Sequence, residues 1–247
     1  MSLPAELIDE IVYYLPTDEP QTLRNCSLVA KSWVHRCQKR LFETVSISKS
    51  THSSWANSIS PANIELLYHV RSLTYLLDPN GWFCFPAHRV DSLGNYLPSL
   101  SNLESLVLSS MDLQSDVSQD VGNFSAFWHS LSSLSLRSCY VSPGGLIAIA
   151  NCFHNLTDLQ LYALIHTEDQ EPVPTLSRPL RGRLTVQTFR SQDLPILDRL
   201  SDLSPELDEL VIGGTPQTGI SYGHIVDTYG RNVKHLRLLR GYERKLG

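Results

Sequence analysis

The chain contains one pattern typical of a catalytic serine, a literal Gly-x-Ser-x-Gly at residues 219–223. In a nucleophile elbow the serine stands on a sharp turn between a strand and a helix, and an acid and then a histidine follow it in the chain. Asp227 and His235 follow Ser221 in that order, but the preceding apolar pattern ends near Ile212 and the polar segment GGTPQT intervenes. We interpret Ser221 as the cap of a helix after a glycine-containing turn, with a serine hydrolase as the catalytic alternative.

Metal and cofactor chemistry has even less support in the sequence. The closest cysteine–histidine pairs are Cys84 with His88 and Cys152 with His154, and neither belongs to a four-ligand zinc pattern. Buried thiols and surface imidazoles account for them. The sequence has no Walker loop and no dinucleotide fingerprint. We therefore expect a chain that is not an enzyme and has no metal or cofactor.

The composition is that of an ordinary folded protein, with 42% hydrophobic and 18% charged residues in a chain of 247. No apolar run approaches the roughly 18 residues that cross a bilayer, and the N-terminus lacks the basic and then hydrophobic pattern of a leader. The five cysteines form no C-x-x-C pair and fit reduced thiols. We expect an intracellular protein, cytoplasmic or nuclear, that does not bind membranes.

A repeated heptad organises the last two hundred residues. Each copy has large apolar residues mostly at its second, fifth and seventh positions, and most copies start roughly 25 to 30 residues apart. One gap is about twice as long, and LRGRLTV at 180–186 lies in it as a divergent copy. The regular copies are 69–75, 102–108, 130–136, 155–161, 206–212 and 232–238.

The segments after the heptads resemble those of leucine-rich repeats. Cys139 and Val141 stand at the two positions that such repeats fill with a buried Asn or Cys and then an apolar residue, and Met111 and Leu113 do so one unit earlier. GGLIAIANCF after Cys139 predicts a helix on the outer side. The resemblance implies a solenoid in which each unit adds one strand to a parallel sheet and stacking completes a shared core. An irregular α/β sandwich is the alternative fold.

The first 47 residues have helical rather than strand periodicity. Apolar residues recur every three or four positions up to Pro16, which ends the first helix, and the spacing resumes from Leu23 to Leu41. Pro4 suits the first turn of a helix. Three short helices bury too little surface for a confident free-standing domain, so we expect a second polypeptide to complete them.

This segment resembles an F-box. The matching residues are Leu3-Pro4-x-Glu6-Leu7, Ile11, Leu15-Pro16, the run CSLVAKSW that ends at Trp33, and Leu41-Phe42, where Phe42 replaces a tryptophan found in many F-boxes. The resemblance implies docking on the Skp-type subunit of a cullin-RING ubiquitin ligase, with the rest of the chain holding a protein substrate. The interface residues implied are Leu3, Pro4, Leu7, Ile11, Leu28 and Trp33.

Two polar stretches divide the chain. Residues 48–60 contain six serines and predict a linker, which gives a helical domain at 1–47, a linker at 48–62 and a repeat domain at 63–247. Residues 165–182 are acidic and proline-rich, and they predict a surface loop within the repeats.

The resemblance to leucine-rich repeats also implies a substrate-binding face. Residues on either side of the central strand leucine point to the concave side of such a sheet. The candidates are Arg137, Asp158, Gln160, Tyr162, Arg183, Gln187, Glu209, His235 and Arg237. Nucleic acid is not expected as a partner, because the formal net charge is −5 and the locally basic stretch 231–247 has Tyr242 as its only aromatic residue.

The sequence as a whole therefore predicts an α/β chain, with an F-box-like unit of three helices before an irregular leucine-rich-repeat-like solenoid. The corresponding function is a non-catalytic adaptor that joins a protein substrate to a Skp–cullin–F-box (SCF) ubiquitin ligase. The alternative is a repeat scaffold that binds proteins outside any ligase. The substrate itself cannot be named from the sequence.

Overall fold

The computed structural model describes a helical region followed by a parallel sheet in a solenoid-like arrangement. Described are residues 3–16, 19–48, 51, 55, 64–76, 88–89, 100–113, 129–166, 181–188, 206–214 and 233–240. Within these ranges no helix is long and apolar enough to cross a membrane. Most of the predicted linker at 48–62 and of the predicted loop at 165–182 lies outside the described residues.

Three helices form the N-terminal region: α1 at Ala5–Tyr14, α2 at Pro20–Ser27 and α3 at Lys31–Phe42. Pro4 is the N-cap of α1, and the helix ends at Tyr14. Its C-cap, Leu15, has an extended backbone, as expected for a residue before proline. Pro20 occupies the first turn of α2, where its missing N–H leaves no helical hydrogen bond unmade.

The helices share a small apolar core of their own. Its buried residues are Ile8, Val12, Leu23 and Cys37. Leu15, Cys26, Trp33 and Leu41 pack around this cluster and remain partly exposed. Four buried residues are few for an independent domain, which agrees with the small core expected from the sequence.

Within the described ranges, eight parallel strands form the main sheet, and their order in the sheet follows their order in the chain. The predicted divergent copy at 180–186 is confirmed as a strand between its expected neighbours. The strands are β1 Thr44–Ser48, β2 Ser72–Leu76, β4 Ser105–Ser109, β6 Ser133–Arg137, β8 Asp158–Tyr162, β10 Arg181–Thr188, β11 Glu206–Gly214 and β12 His235–Arg240.

Apolar side chains stack in register along the inner face of this sheet. One row contains Val45 and then a leucine from every later strand: Leu73, Leu106, Leu134, Leu159, Leu184, Leu210 and Leu236. All of them except Leu236, which is partly buried, belong to the buried residues of the main core. Each strand therefore depends on the next one to cover its apolar side.

A second, narrower sheet follows the turns after the main strands. Its strands are β3 His88–Arg89, β5 Met111–Asp112, β7 Tyr140–Val141 and β9 Ile165–His166. The chain turns between the sheets at Ser110, Ser138 and Ala163, with φ of 59°, 51° and 49°. This sheet was not predicted, because left-handed backbone at serine and alanine leaves no clear sequence signal.

A buried thiol lies next to the turn at Ser138. The Cys139 Sγ atom lies 3.5 Å from the Leu108 carbonyl oxygen of β4 and 3.4 Å from the Arg137 carbonyl oxygen of β6. The side chain is fully buried, and this burial raises the pKa of the Cys139 thiol to about 11. A neutral thiol is therefore the form that the folded chain accommodates.

The predicted return helix is confirmed as α4, Pro143–Cys152, which packs Leu146 and Ile149 into the main core. Ser142 is its N-cap, and the Ser142 hydroxyl accepts a hydrogen bond of 3.0 Å from the Gly145 N–H. Gly144 and Gly145 lie in the first turn of this helix.

The helical region continues into the sheet at one residue. Glu43 separates α3 from β1, and its carbonyl accepts hydrogen bonds of 2.9 Å from the N–H groups of both Arg71 and Ser72. Phe42 packs against the main core. A 3₁₀ helix at Ile64–His69 also contacts α3, where His35 meets His69 edge to face.

Replacement of Gly182 by alanine is expected to destabilise the chain by about 2 kcal/mol or more. Gly182 has φ of +83°, and a Cβ there would lie 2.2 Å from the Thr157 carbonyl oxygen. Urea unfolding measures the decrease in the free energy of unfolding. Gly213→Ala is the control, since its Cβ would meet the Gln187 side chain, which can move, at 2.9 Å. Equal stability of Gly182→Ala and the wild type would contradict the positive φ and close approach described at Gly182.

Burial of Cys139 predicts that stability falls as pH rises from about 9 to about 11. Above pH 9 the unfolded thiol ionises while the folded thiol stays neutral, so the unfolded state gains roughly 2 kcal/mol by pH 11. Cys139→Ala should remove this part of the pH dependence in chemical unfolding. Cys26→Ala, which removes a half-buried thiol from α2, serves as the control and should keep it. Identical pH profiles for the wild type and Cys139→Ala would refute the assignment.

Candidate protein-docking surfaces

Helix α1 has two apolar sides. Ile8 and Val12 are buried against α2 and α3, whereas Leu7 and Ile11, each one position earlier in the chain, are exposed by 44% and 40%. Successive helical residues are about 100° apart around the axis, so the exposed pair forms a separate outer stripe. Leu3, exposed by 49%, extends it towards the N-terminus.

The turn between α2 and α3 adds two further apolar side chains. Leu28 is exposed by 83% and Val29 by 69%. Leu28 is the C-cap of α2 and Val29 follows it, so both residues lie outside the body of the helix. We call Leu3, Leu7, Ile11, Leu28 and Val29 the outer apolar set.

The six residues predicted as a partner interface fall into two groups. Leu3, Pro4, Leu7, Ile11 and Leu28 are exposed. Trp33 is half-buried and packs against the core of the helical region, so it contributes to that core as well as to the surface. The sequence pattern alone could not separate these groups, because both recur at helical spacing.

Two exposed aromatic residues near the end of α1 escaped the sequence analysis. Tyr13 and Tyr14 are exposed by 66% and 76%, and their rings meet edge to face with centroids 5.5 Å apart. The Arg40 guanidinium of α3 lies over the Tyr13 ring at 5.5 Å from its centroid. Exposed tyrosines that are held in place in this way are common at protein interfaces. The adjacent tyrosines in the sequence were the available signal.

The second candidate surface is the outer face of the main sheet. Alternation along each strand turns the apolar rows inward and leaves three rows of side chains outward. We call this surface the outer sheet face. The nine residues predicted as substrate contacts all lie on it, brought together from β6, β8, β10, β11 and β12.

The two halves of the outer sheet face differ chemically. The half formed by β1, β2, β4 and β6 presents mainly hydroxyl groups, and the half from β8 to β12 carries long polar and charged side chains. The hydroxyl residues are Thr44, Ser46, Ser48, Ser72, Thr74, Ser105, Ser109, Ser133 and Ser135. None of these hydroxyl residues was predicted as a contact from the sequence, although they alternate with the buried leucines.

A chain of hydrogen bonds fixes the side chains of β8. The Asp158 carboxylate accepts hydrogen bonds of 3.3 Å from the Ser133 hydroxyl and 2.7 Å from the Gln160 amide. The Tyr162 hydroxyl donates to the Gln160 carbonyl oxygen at 3.2 Å. All these contacts involve residues on the same side of the sheet, so the side chains are positioned before any partner binds.

Arg137 extends this chain to the neighbouring strand. Its guanidinium lies over the Tyr162 ring, 5.2 Å from the centroid, and its Nε–H donates to the Ser135 hydroxyl at 3.3 Å. Ser135 is 3% exposed beneath it. Arg137 is exposed, and among the described residues it forms no ion pair.

Glu209 on β11 joins the strands on either side of it. Its carboxylate accepts a hydrogen bond of 2.6 Å from Arg183 Nε of β10, and Arg237 Nε of β12 lies 2.8 Å from the other oxygen as an ion pair. The Glu209 side chain is only 12% exposed, whereas Arg183 and Arg237 are 52% and 69% exposed. Solvent therefore meets the arginines rather than the acid that holds them.

A more exposed ion pair lies at the start of the same strands. Lys234 donates to Asp208 at 2.6 Å. This hydrogen bond lowers the pKa of Asp208 and raises the pKa of Lys234. His235, the remaining predicted contact on β12, is exposed beside this pair.

The predicted catalytic and metal alternatives fall largely outside these surfaces. Ser221, Asp227 and Cys84 lie outside the described residues, so the hydrolase pattern stays a prediction. The described residues contain no group of three or more His, Cys, Asp or Glu side chains placed to hold a metal ion.

The chain matches none of the protein families or curated proteins with which it was compared.

Replacement of Glu209 by glutamine is expected to destabilise the chain by about 1 to 2 kcal/mol. The change leaves Arg183 and Arg237 close together without the carboxylate that they share. Urea unfolding at low salt measures the effect. Asp208→Asn is the matched control on the same strand and should change stability much less, because both partners of that pair are exposed. Equal losses would show that Glu209 does not hold the two strands together.

Proposed function

We propose that the chain is a substrate-recognition adaptor of an SCF ubiquitin ligase. In this proposal the helical region is an F-box-like unit that docks on a Skp-type subunit, and through it on a cullin. The parallel sheet belongs to a leucine-rich-repeat-like solenoid whose outer face holds a protein substrate. The chain itself performs no chemistry, and its role is to bring two proteins together.

The observation that carries the proposal is the outer stripe of α1. A short amphipathic helix needs one apolar side for its own core, and α1 uses Ile8 and Val12 for this purpose. The further exposure of Leu3, Leu7 and Ile11 has no role within the helical region. Apolar side chains at this spacing favour a helix-in-groove contact, in which a few large anchors supply most of the affinity.

The rest of the outer apolar set supports the same interpretation. Leu28 and Val29 expose large apolar side chains at a turn, where polar residues are usual. Large exposed apolar groups such as these are typical of surfaces that bind a protein partner. The predicted interface residues other than Trp33 share this exposure.

The sheet supports the second half of the proposal. Its outer face carries polar groups that are already fixed by hydrogen bonds, which lowers the entropic cost of binding a partner. The alternative is a repeat scaffold that uses the sheet face alone and never enters a ligase. The two functions differ in one measurable property, retention of a Skp-type subunit by the helical region.

Leu7→Asp is expected to weaken retention of a purified Skp-type subunit by about thirtyfold or more, because a charge would have to be buried at an apolar anchor. Pull-down followed by titration calorimetry measures the affinity. Leu239→Asp is the matched control, since Leu239 on β12 is exposed by 42% and Leu7 by 44%.

The control variant should bind the Skp-type subunit as the wild type does. If the wild type does not retain that subunit, or if both aspartate variants retain it equally, the adaptor function fails and the scaffold alternative replaces it. Circular dichroism of both variants establishes that the helices are still formed.

A further inference from the structure

We propose that the outer sheet face binds an extended acidic segment of a protein partner, with one carboxylate held by Arg137 over Tyr162 and a second held by Arg183 and Arg237. The inference rests on the proposed function insofar as that function assigns the substrate to this face, and it adds the chemistry of the substrate.

Charge on the face is the first argument. The three outward rows contain three arginines and two acids, so the face carries a positive charge although the whole chain has a formal net charge of −5. Burial makes the two acids less accessible to a partner than the three arginines. Glu209 is 12% exposed, and the Asp158 Oδ1 atom is fully covered, while all three arginines are exposed. A partner that approaches the sheet therefore meets guanidinium groups.

The setting of Arg137 is the second argument. The contact with Tyr162 and the bond from Nε to Ser135 hold the guanidinium in place, and neither of them uses its terminal N–H groups. A planar guanidinium with its terminal N–H groups free is the usual partner for a carboxylate, which it binds through two parallel hydrogen bonds. Within the described residues no acid occupies that position.

Spacing of the arginines is the third argument, and it decides between carboxylate and phosphate. Arg137 and Arg183 stand two strands and four strand positions apart, which corresponds to roughly 16 Å between their Cα atoms. Arg137 is held over Tyr162 on β8, whereas Arg183 is held against Glu209 on β11, so the two guanidinium groups are directed to different strands rather than to one phosphate. Two separate carboxylates, one near each arginine, fit this arrangement better. An extended chain covers the distance between the two Cα atoms in about five residues.

The hydroxyl half of the face ends at β6 beside Arg137, so a segment that continues past Arg137 in the direction away from Arg183 lies over it. Serine and threonine side chains are short and uncharged, so a partner backbone can lie close to them and exchange hydrogen bonds without a charge penalty. A nucleic acid would require more cations, and a single strand would also require several stacking platforms, whereas Tyr162 is the only Phe, Tyr or Trp side chain in the three rows.

Fluorescence anisotropy of a labelled peptide tests the inference on the intact chain. The probe is a glycine–serine peptide with two glutamates about five positions apart. Comparison peptides carry the same glutamates side by side, glutamines in their place, or phosphoserine instead of one glutamate. A single-stranded oligonucleotide is the last probe. The spaced-glutamate peptide should bind best, and raising NaCl from about 50 to about 300 mM should weaken it.

Arg137→Gln should weaken binding of the spaced-glutamate peptide by about tenfold, and Arg137→Lys should lie between it and the wild type because the charge remains but the paired N–H groups are lost. Arg71→Gln is the matched control. It removes one exposed arginine that lies just before β2, outside the three rows, and should leave binding unchanged.

Several outcomes would overturn the inference. Equal effects of Arg137→Gln and Arg71→Gln would show general charge attraction, and equal binding of the two glutamate peptides would remove the two-position geometry. Tighter binding of phosphoserine would assign the face to phosphorylated partners, and Arg137-dependent binding of the oligonucleotide to nucleic acid.

The same preparations separate this inference from the proposed function. Retention of the Skp-type subunit without peptide binding would refute only the acidic-segment inference. Peptide binding without retention of that subunit would leave the inference standing on a repeat scaffold and would refute the adaptor function.

Discussion

Stacking of apolar strands on one another is the constraint on which the rest of the sheet depends. No single strand can cover its own inward leucines, so each unit is stable only in register with the next one. Leu106, Leu134 and Leu159 stand in one row because the strands are parallel and neighbouring units pair without a shift. Where the pattern becomes irregular, at Gly182, a positive φ and a register shift restore the alignment.

Much of this fold could be predicted from the sequence, because alternating leucines in a repeated heptad allow few other arrangements. The first strand was missed, since Val45 and Ile47 give only two alternating positions beside a helical segment. The second sheet was missed because it depends on left-handed backbone at Ser110, Ser138 and Ala163, a conformation that tertiary packing imposes.

The two surfaces were predictable to different degrees. Strand alternation was sufficient to assign nine residues to one face of the sheet. It could not indicate that Glu209 holds two arginines or that Arg137 lies on Tyr162, since pairing across strands depends on register and rotamer. In the helices, the sequence could not show which apolar residues are buried and which are exposed. Helical spacing identified the apolar residues, but only the packing of α1 separates Ile8, which lies inside, from Leu7, which lies outside.

The passage from α3 to β1 through Glu43 alone has a mechanical consequence. A helix that continues into a hydrogen-bonded strand cannot swivel freely, and the bonds from Arg71 and Ser72 to the Glu43 carbonyl fasten the joint from the next unit. A substrate bound to the strands and a Skp-type subunit bound to the helices would therefore be held at a fixed distance and angle from each other. Insertion of a few glycines next to Glu43 would change the relative orientation of the two binding surfaces without altering the residues of either surface.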